Sequence, residues 1–232
     1  MPPRDADVVM FVGPTLATSR RARSVARPFR LRRPVRRHDL EKLVEERVRP
    51  GVVAIVDGVF HDTLAIGHAE IREAIARGWQ VWGLSSMGAI RACEMAPLGM
   101  RGFGRVFERF CGDEDFQDDE VALLHEPAAP YRPVTEPLVH LRAAIDHLVA
   151  GGVVDAAPAA GVVADLKARW YGERTIRGAA HALGRHARGG RAAIERAWGD
   201  FEPFRWKTLD FERFAEARPW RRPARRAPSR AR

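Results

Sequence analysis

The sequence predicts an α/β fold: a mostly parallel sheet flanked by helices, with a C-terminal helical extension. Three observations predict it. Apolar runs at 8–12, 52–56 and 81–84 have the length and composition of buried strands. Each ends in small or acidic residues: Gly13-Pro14-Thr15, Asp57-Gly58 and Ser85-Ser86. Helical spacing then follows, the alternation that builds a parallel sheet. In such sheets ligands bind beyond the carboxyl ends of the strands, so the three turns are expected to meet at one edge.

The elements follow in order. The run at 8–12 is stopped by Gly13-Pro14, and Thr15 is placed either to cap the next turn or to touch a ligand. Nine arginines and no acid lie between Arg20 and Arg37, broken by Pro28 and Pro34, which reads as an exposed connection. Asp39 caps a helix over 40–48, ended by Pro50-Gly51. The run at 52–56 is apolar throughout, as in a strand buried on both faces. Asp57 after it is either a site carboxylate or half of an Asp-Gly turn. Residues 65–77 read as a helix with Ile66, Ile71, Ala74 and Ile75 on one side and with His68 and Glu70 near its start.

The stretch 79–96 carries the clearest chemistry. A strand leads into Ser85-Ser86, and Met87, Ala89, Ile90, Ala92, Cys93, Met95 and Ala96 recur at helical spacing. A strand, a sharp turn and a helix lift a serine to a helix N-terminus, where free amides favour developing negative charge. Gly83 and Gly88 allow the turn, although Leu84-Ser85-Ser86-Met87-Gly88 is not a strict G-x-S-x-G. Ser86 is therefore a candidate nucleophile, with helix capping as the alternative role.

Beyond it, Arg101-Gly102-Phe103-Gly104-Arg105 is glycine-rich but matches neither a P-loop nor a dinucleotide fingerprint. Six acids between Asp113 and Glu120 fit no EF-hand and are read as a solvated loop that caps a helix at 120–125, so no metal is expected. A helix over 138–149 presents Leu138, Leu141, Ile145 and Leu148 to a core and places His140 and His147 at the surface. Helices are expected at 159–170, 175–187, 191–198 and 208–216. The domain division is a core at 1–152, a helical extension at 153–217 and a basic disordered tail at 218–232.

The net charge of +9 conceals an acidic centre. Residues 38–140 carry 10 basic and 18 acidic side chains, and the rest of the chain carries +17. Only Lys42, Lys167 and Lys207 are lysines, so arginine has displaced lysine nearly everywhere. Basic ends attract acidic partners. Without a helix-turn-helix or zinc pattern, nucleic acid is not an expected partner. No apolar run approaches the roughly 20 residues of a membrane span. Cys93 and Cys111 read as inert buried thiols and the compartment as cytoplasmic.

Six stretches together resemble the TfuA-like protein family: Phe11-Val12-Gly13-Pro14-Thr15-Leu16, Asp57-Gly58-Val59-Phe60, His68-Ala69-Glu70-Ile71, Ser85-Ser86-Met87-Gly88-Ala89-Ile90-Arg91-Ala92, Gly99-Met100-Arg101-Gly102-Phe103-Gly104 and Asp118-Asp119-Glu120-Val121-Ala122. The resemblance implies a partner of a YcaO-type ATP-dependent enzyme in peptide backbone thioamidation. It implies hydrolysis of the C-terminal thiocarboxylate of a ThiS-like sulfur carrier, release of sulfide, and tighter binding of the peptide or protein substrate. No cofactor is implied. A Ser–Lys pair is attributed to the family, and its serine maps onto Ser86. Its lysine is expected in the His-x-Glu-Ile stretch, where this chain has Ala69. The base is then sought in His68, oriented by Asp57 or Glu70, with Met87 and Gly88 amides for the oxyanion. Gly13, Pro14, Thr15, Gly58, Ser85 and Arg91 complete the expected site. The alternative is a non-catalytic adaptor that docks on YcaO and peptide.

Overall fold

The structure, a computed structural model, describes residues 3–59 and 63–221. Phe60 of the second matched stretch and the basic tail from residue 222 lie outside the described residues. Five strands, β1 (Val8–Phe11), β2 (Arg30–Arg32), β3 (Val52–Ile55), β4 (Gln80–Leu84) and β5 (Arg101–Phe103), form one sheet in the order β2-β1-β3-β4-β5. Every neighbouring pair is parallel. The order reverses direction between β1 and β3, the kind of switch point where a crevice opens beyond the strand ends.

The helices are α1 (Pro14–Ala17), α2 (Arg20–Ala26), α3 (Asp39–Glu45), α4 (His68–Ala76), α5 (Met87–Met95), α6 (Arg105–Gly112), α7 (Leu138–Ala150), α8 (Ala156–Ala168), α9 (Ile176–Gly184), α10 (Gly190–Trp198) and α11 (Trp206–Ala217). Alternate residues of the strands serve two cores. Val9, Phe11, Val53, Ile55 and Val81 pack under α3, α4 and α5. Val8, Met10, Val52, Ala54, Trp82 and Leu84 pack with Ala22 and Ala26 of α2 and with Phe211, Phe214 and Ala215 of α11. Both faces are covered, which is why these runs are apolar throughout rather than alternating.

The strands β2 and β5 carry no apolar run. Both are three-residue edge strands, and β2 reads Arg-Leu-Arg with Arg30 and Leu31 exposed. Short charged edges are how sheets avoid pairing with other chains. The arginine-rich stretch, read as a connection, also contains α2, capped by Ser19, whose Oγ accepts the Ala22 amide.

Helices α7 to α10 build their own apolar cluster, including Leu141, Leu148, Leu166, Leu183, Ile194 and Trp198. The last helix, α11, departs from it and returns to the sheet, where Phe214 meets Trp82 edge-on at 5.6 Å. The chain remains packed through Trp220, which is buried beside Phe29 and Phe214, so the placed structure runs past residue 218. Residues 118–120 form one 3-10 turn, not the cap of a helix over 120–125. Two of its acids are held in ion pairs while Asp118 stays exposed: the Glu120 carboxylate is buried against Arg142 at 2.7 Å, and the half-buried Asp119 meets the buried Arg174 at 2.6 Å. The two cysteines also differ from expectation. Cys93 of α5 and Cys111 of α6 are paired as a disulfide, with their Cα atoms 5.6 Å apart.

Candidate functional site

The end of β4 and the start of α5 form a tight elbow. Ser85 adopts a left-handed backbone with φ 65°, a conformation that costs a non-glycine residue energy and persists only where the surroundings impose it. Here the buried Ser85 Oγ donates a 2.7 Å hydrogen bond to the Lys207 carbonyl. Ser86 is the N-cap of α5, yet its side chain accepts no capping bond. Gly83 and Gly88 are required by proximity: a Cβ on Gly88 would collide with the Ile55 carbonyl, and one on Gly83 with the Gly88 carbonyl. The glycines therefore let α5 settle directly on β3 and β4, which aims its N-terminus at the carboxyl edge of the sheet.

The three turns meet there. Asp57 is buried at the end of β3, and its carboxylate accepts the Gly13 amide at 2.8 Å, the Thr15 amide at 3.1 Å and the Thr15 hydroxyl at 2.7 Å. Asp57 thus fastens the β1 turn to the β3 turn across the switch point. A cavity of about 200 Å³ opens beside them, lined by Pro14, Asp57, Gly58, Ser86 and Lys207, with Val121–Leu124 and Tyr131 on its walls. No described residue hydrogen-bonds the Ser86 hydroxyl.

Lys207 is the residue that the motifs did not supply. It sits in the first turn of α11, is 2% exposed, and donates from Nζ to the Val121 carbonyl at 3.0 Å. Burial pushes its ammonium below the usual lysine range, against the opposing pull of the Asp57 and Glu136 charges. A lysine so placed reaches its neutral form more readily, which is what a proton acceptor needs.

His68 and Glu70 are not brought to this cavity. His68 Nε2 pairs with Glu94 at 2.7 Å on the surface, and Arg91 holds the same carboxylate at 2.6 Å while donating to the Ile66 carbonyl. Arg91 thereby ties the segment before α4 to α5. Glu70 accepts the Gly67 amide at 2.9 Å, a helix cap, and faces a separate groove between α3 and α4. The Gly88 amide is 3.3 Å from the Val56 carbonyl, so Met87, the first residue of α5, offers the amide without an intrahelical partner.

A signal for Lys207 was present in the sequence. Lys207, Phe211, Phe214 and Ala215 follow helical spacing, so one of the three lysines lies on the apolar stripe of α11. A second buried charge lies one turn on. Asp210 accepts the Arg105 and Val106 amides at 3.0 and 2.9 Å and caps α6. Burial raises its carboxyl from 3.8 to about 6.

A doubly wound parallel α/β protein with a serine elbow and a buried lysine in one cavity is the class this fold and site define. The model of the TfuA-like protein family matches residues 57–175, about half of the chain, and the chain belongs to that family. That family is associated with YcaO-type thioamidation, so a YcaO enzyme is the general partner. No curated protein matches the chain. The matched region contains Asp57, Ser85 and Ser86 and ends before Lys207. Among the described residues no helix is long and apolar enough to cross a membrane.

Proposed function

We propose that this protein hydrolyses the C-terminal thiocarboxylate of a ThiS-like carrier protein and delivers sulfide to its YcaO partner, with Ser86 as nucleophile and Lys207 as base. It also aids binding of the precursor peptide or protein. The observation that carries this reading is the buried Lys207 in the cavity that Ser86 lines.

Ser86 Oγ attacks the thiocarboxylate carbon and passes its proton to the neutral Lys207 amine. The Met87 amide and the N-terminal dipole of α5 hold the oxyanion. Collapse breaks the C–S bond, and hydrosulfide leaves with the proton from Lys207. Water, deprotonated by the same amine, then attacks the acyl-serine ester and frees the carrier as a carboxylate. Asp57 holds the β1 and β3 turns in register around this chemistry, and its charge moderates how far the Lys207 pKa falls.

The test is sulfide release from thiocarboxylated carrier by the full chain. Ser86→Ala and Lys207→Met are each expected to lose roughly a hundredfold or more, the span of a general base. Thioamidation supplied with free inorganic sulfide should then proceed without the serine. If the wild type releases no sulfide, and the chain is still required when sulfide is supplied, the protein is instead an adaptor between YcaO and peptide.

A further inference from the structure

The backbone of Lys207 is gripped by groups that the proposed chemistry does not use. Its carbonyl accepts from Ser85 Oγ at 2.7 Å. Its amide donates to His140 Nε2 at 3.1 Å. Lys207 follows Trp206, the first residue of α11, so its amide has no intrahelical acceptor. His140 is 4% exposed in α7, not on the surface where its spacing had placed it, and its Nδ1 lies 2.6 Å from Glu136 Oε1. Only one tautomer satisfies both bonds: Nε2 accepts, so Nδ1 carries the proton and donates it to the Glu136 carboxylate.

We propose that His140 is a positioning residue for Lys207: the neutral ring holds the first turn of α11 against α7 and so sets where the amine stands in the cavity, and protonation of Nε2 releases it. The charged groups facing the ring are Glu136 from the segment before α7 and Arg205 and Lys207 from the start of α11. Glu136 is in turn 3.5 Å from the Arg205 guanidinium. Burial, with the Lys207 and Arg205 charges, lowers the His140 pKa below the ordinary imidazole value against the opposing pull of Glu136, which favours the neutral ring that the two hydrogen bonds require. Glu136, pushed up by its own burial, is brought below the usual carboxylate range by His140 and Arg205. The release is therefore an acid-side event, and it turns the Glu136–His140–Lys207 chain into a pH-sensitive brace.

This inference rests on the reading of Lys207 as base, but its test does not require the reaction. The imidazole nitrogens of His140 are observed by NMR in the ¹⁵N-labelled full chain. The expected result at pH 7 is a protonated Nδ1 and an unprotonated Nε2; the opposite tautomer or a charged ring would overturn the proposal. Acetylation of Lys207 by acetic anhydride, mapped by mass spectrometry across pH, reads the amine itself. Glutamine places an acceptor oxygen near Nε2 and does not titrate. His140→Gln is expected to keep Lys207 reactivity at pH 8 within about twofold of wild type, and His140→Ala to change it roughly tenfold, the size of one buried hydrogen bond. His140→Gln should also lose the extra acid-side step in the wild-type profile. If His140→Gln and His140→Ala behave alike, or the acid step survives in His140→Gln, His140 is only a packing residue. If these measurements succeed while the wild type releases no sulfide, the brace stands and the hydrolase reading falls.

Discussion

Helices α4 and α11 both carry charged residues in their first two turns, and the surroundings give them opposite fates. On α4, His68 is largely exposed and pairs with Glu94, while Glu70 caps its own helix. On α11, Lys207 and Asp210 are buried, and each is held by backbone groups of other elements. Sequence alone favours α4, because His68 and Glu70 fall in a family motif. Water decides the matter. An exposed ion pair is screened and contributes little, whereas a buried titratable group keeps a shifted pKa that chemistry can use. Motif position marks a segment of the family, while burial in the cavity that Ser86 lines is what favours Lys207 over His68 as the proposed base.

The largest expected effect would invert the comparison if it failed. Lys207→Met should reduce sulfide release roughly a hundredfold or more, with His68→Ala within about threefold of wild type. The reverse order, measured in the same assay, returns the base to His68. Lys207→Arg should not rescue activity, because a guanidinium stays protonated at working pH.

The pH profile sharpens the same contrast. Release should rise with pH as Lys207 loses its proton, with the midpoint below 10.5 because burial lowers that pKa. A midpoint at the ordinary lysine value would mean that the amine is solvated.

Asp210 offers a stability measurement. Its folded-state pKa is raised from 3.8 to about 6, so its contribution is fully present below pH 3.8 and is lost as pH rises through 6. The change is about 3 kcal/mol at most. Denaturant titrations at pH 4 and pH 7 should show a smaller difference in Asp210→Asn than in wild type. An unchanged difference would place the titration elsewhere.

The smallest effect is expected on α4. Breaking the His68–Glu94 pair by His68→Ala should alter stability by less than about 1 kcal/mol, since the pair is exposed. A larger loss in thermal unfolding would show that the α4–α5 surface cluster holds the elbow helix in place.

The sequence by itself determined the parallel sheet, its three central strands and the meeting of their turns. Each of those signals is local: an apolar run buried on both faces, then a small or acidic residue, then helical spacing. Ser86 and Asp57 were legible for the same reason, because each stands at the carboxyl end of a buried strand. The edge strands β2 and β5 were not legible, since a strand with one pairing partner and a solvated side needs no apolar run. The tertiary structure alone decided what surrounds Ser86. Lys207 lies more than a hundred residues further along the chain, beyond the family match, and reaches the elbow only because Phe211 and Phe214 draw α11 onto the sheet. His140 looked like a surface residue on its own helix, and it is buried because α11 passes over it. Periodicity reports which face of a helix is apolar, but which distant side chains share the dry space beside that face is fixed only by how the elements pack.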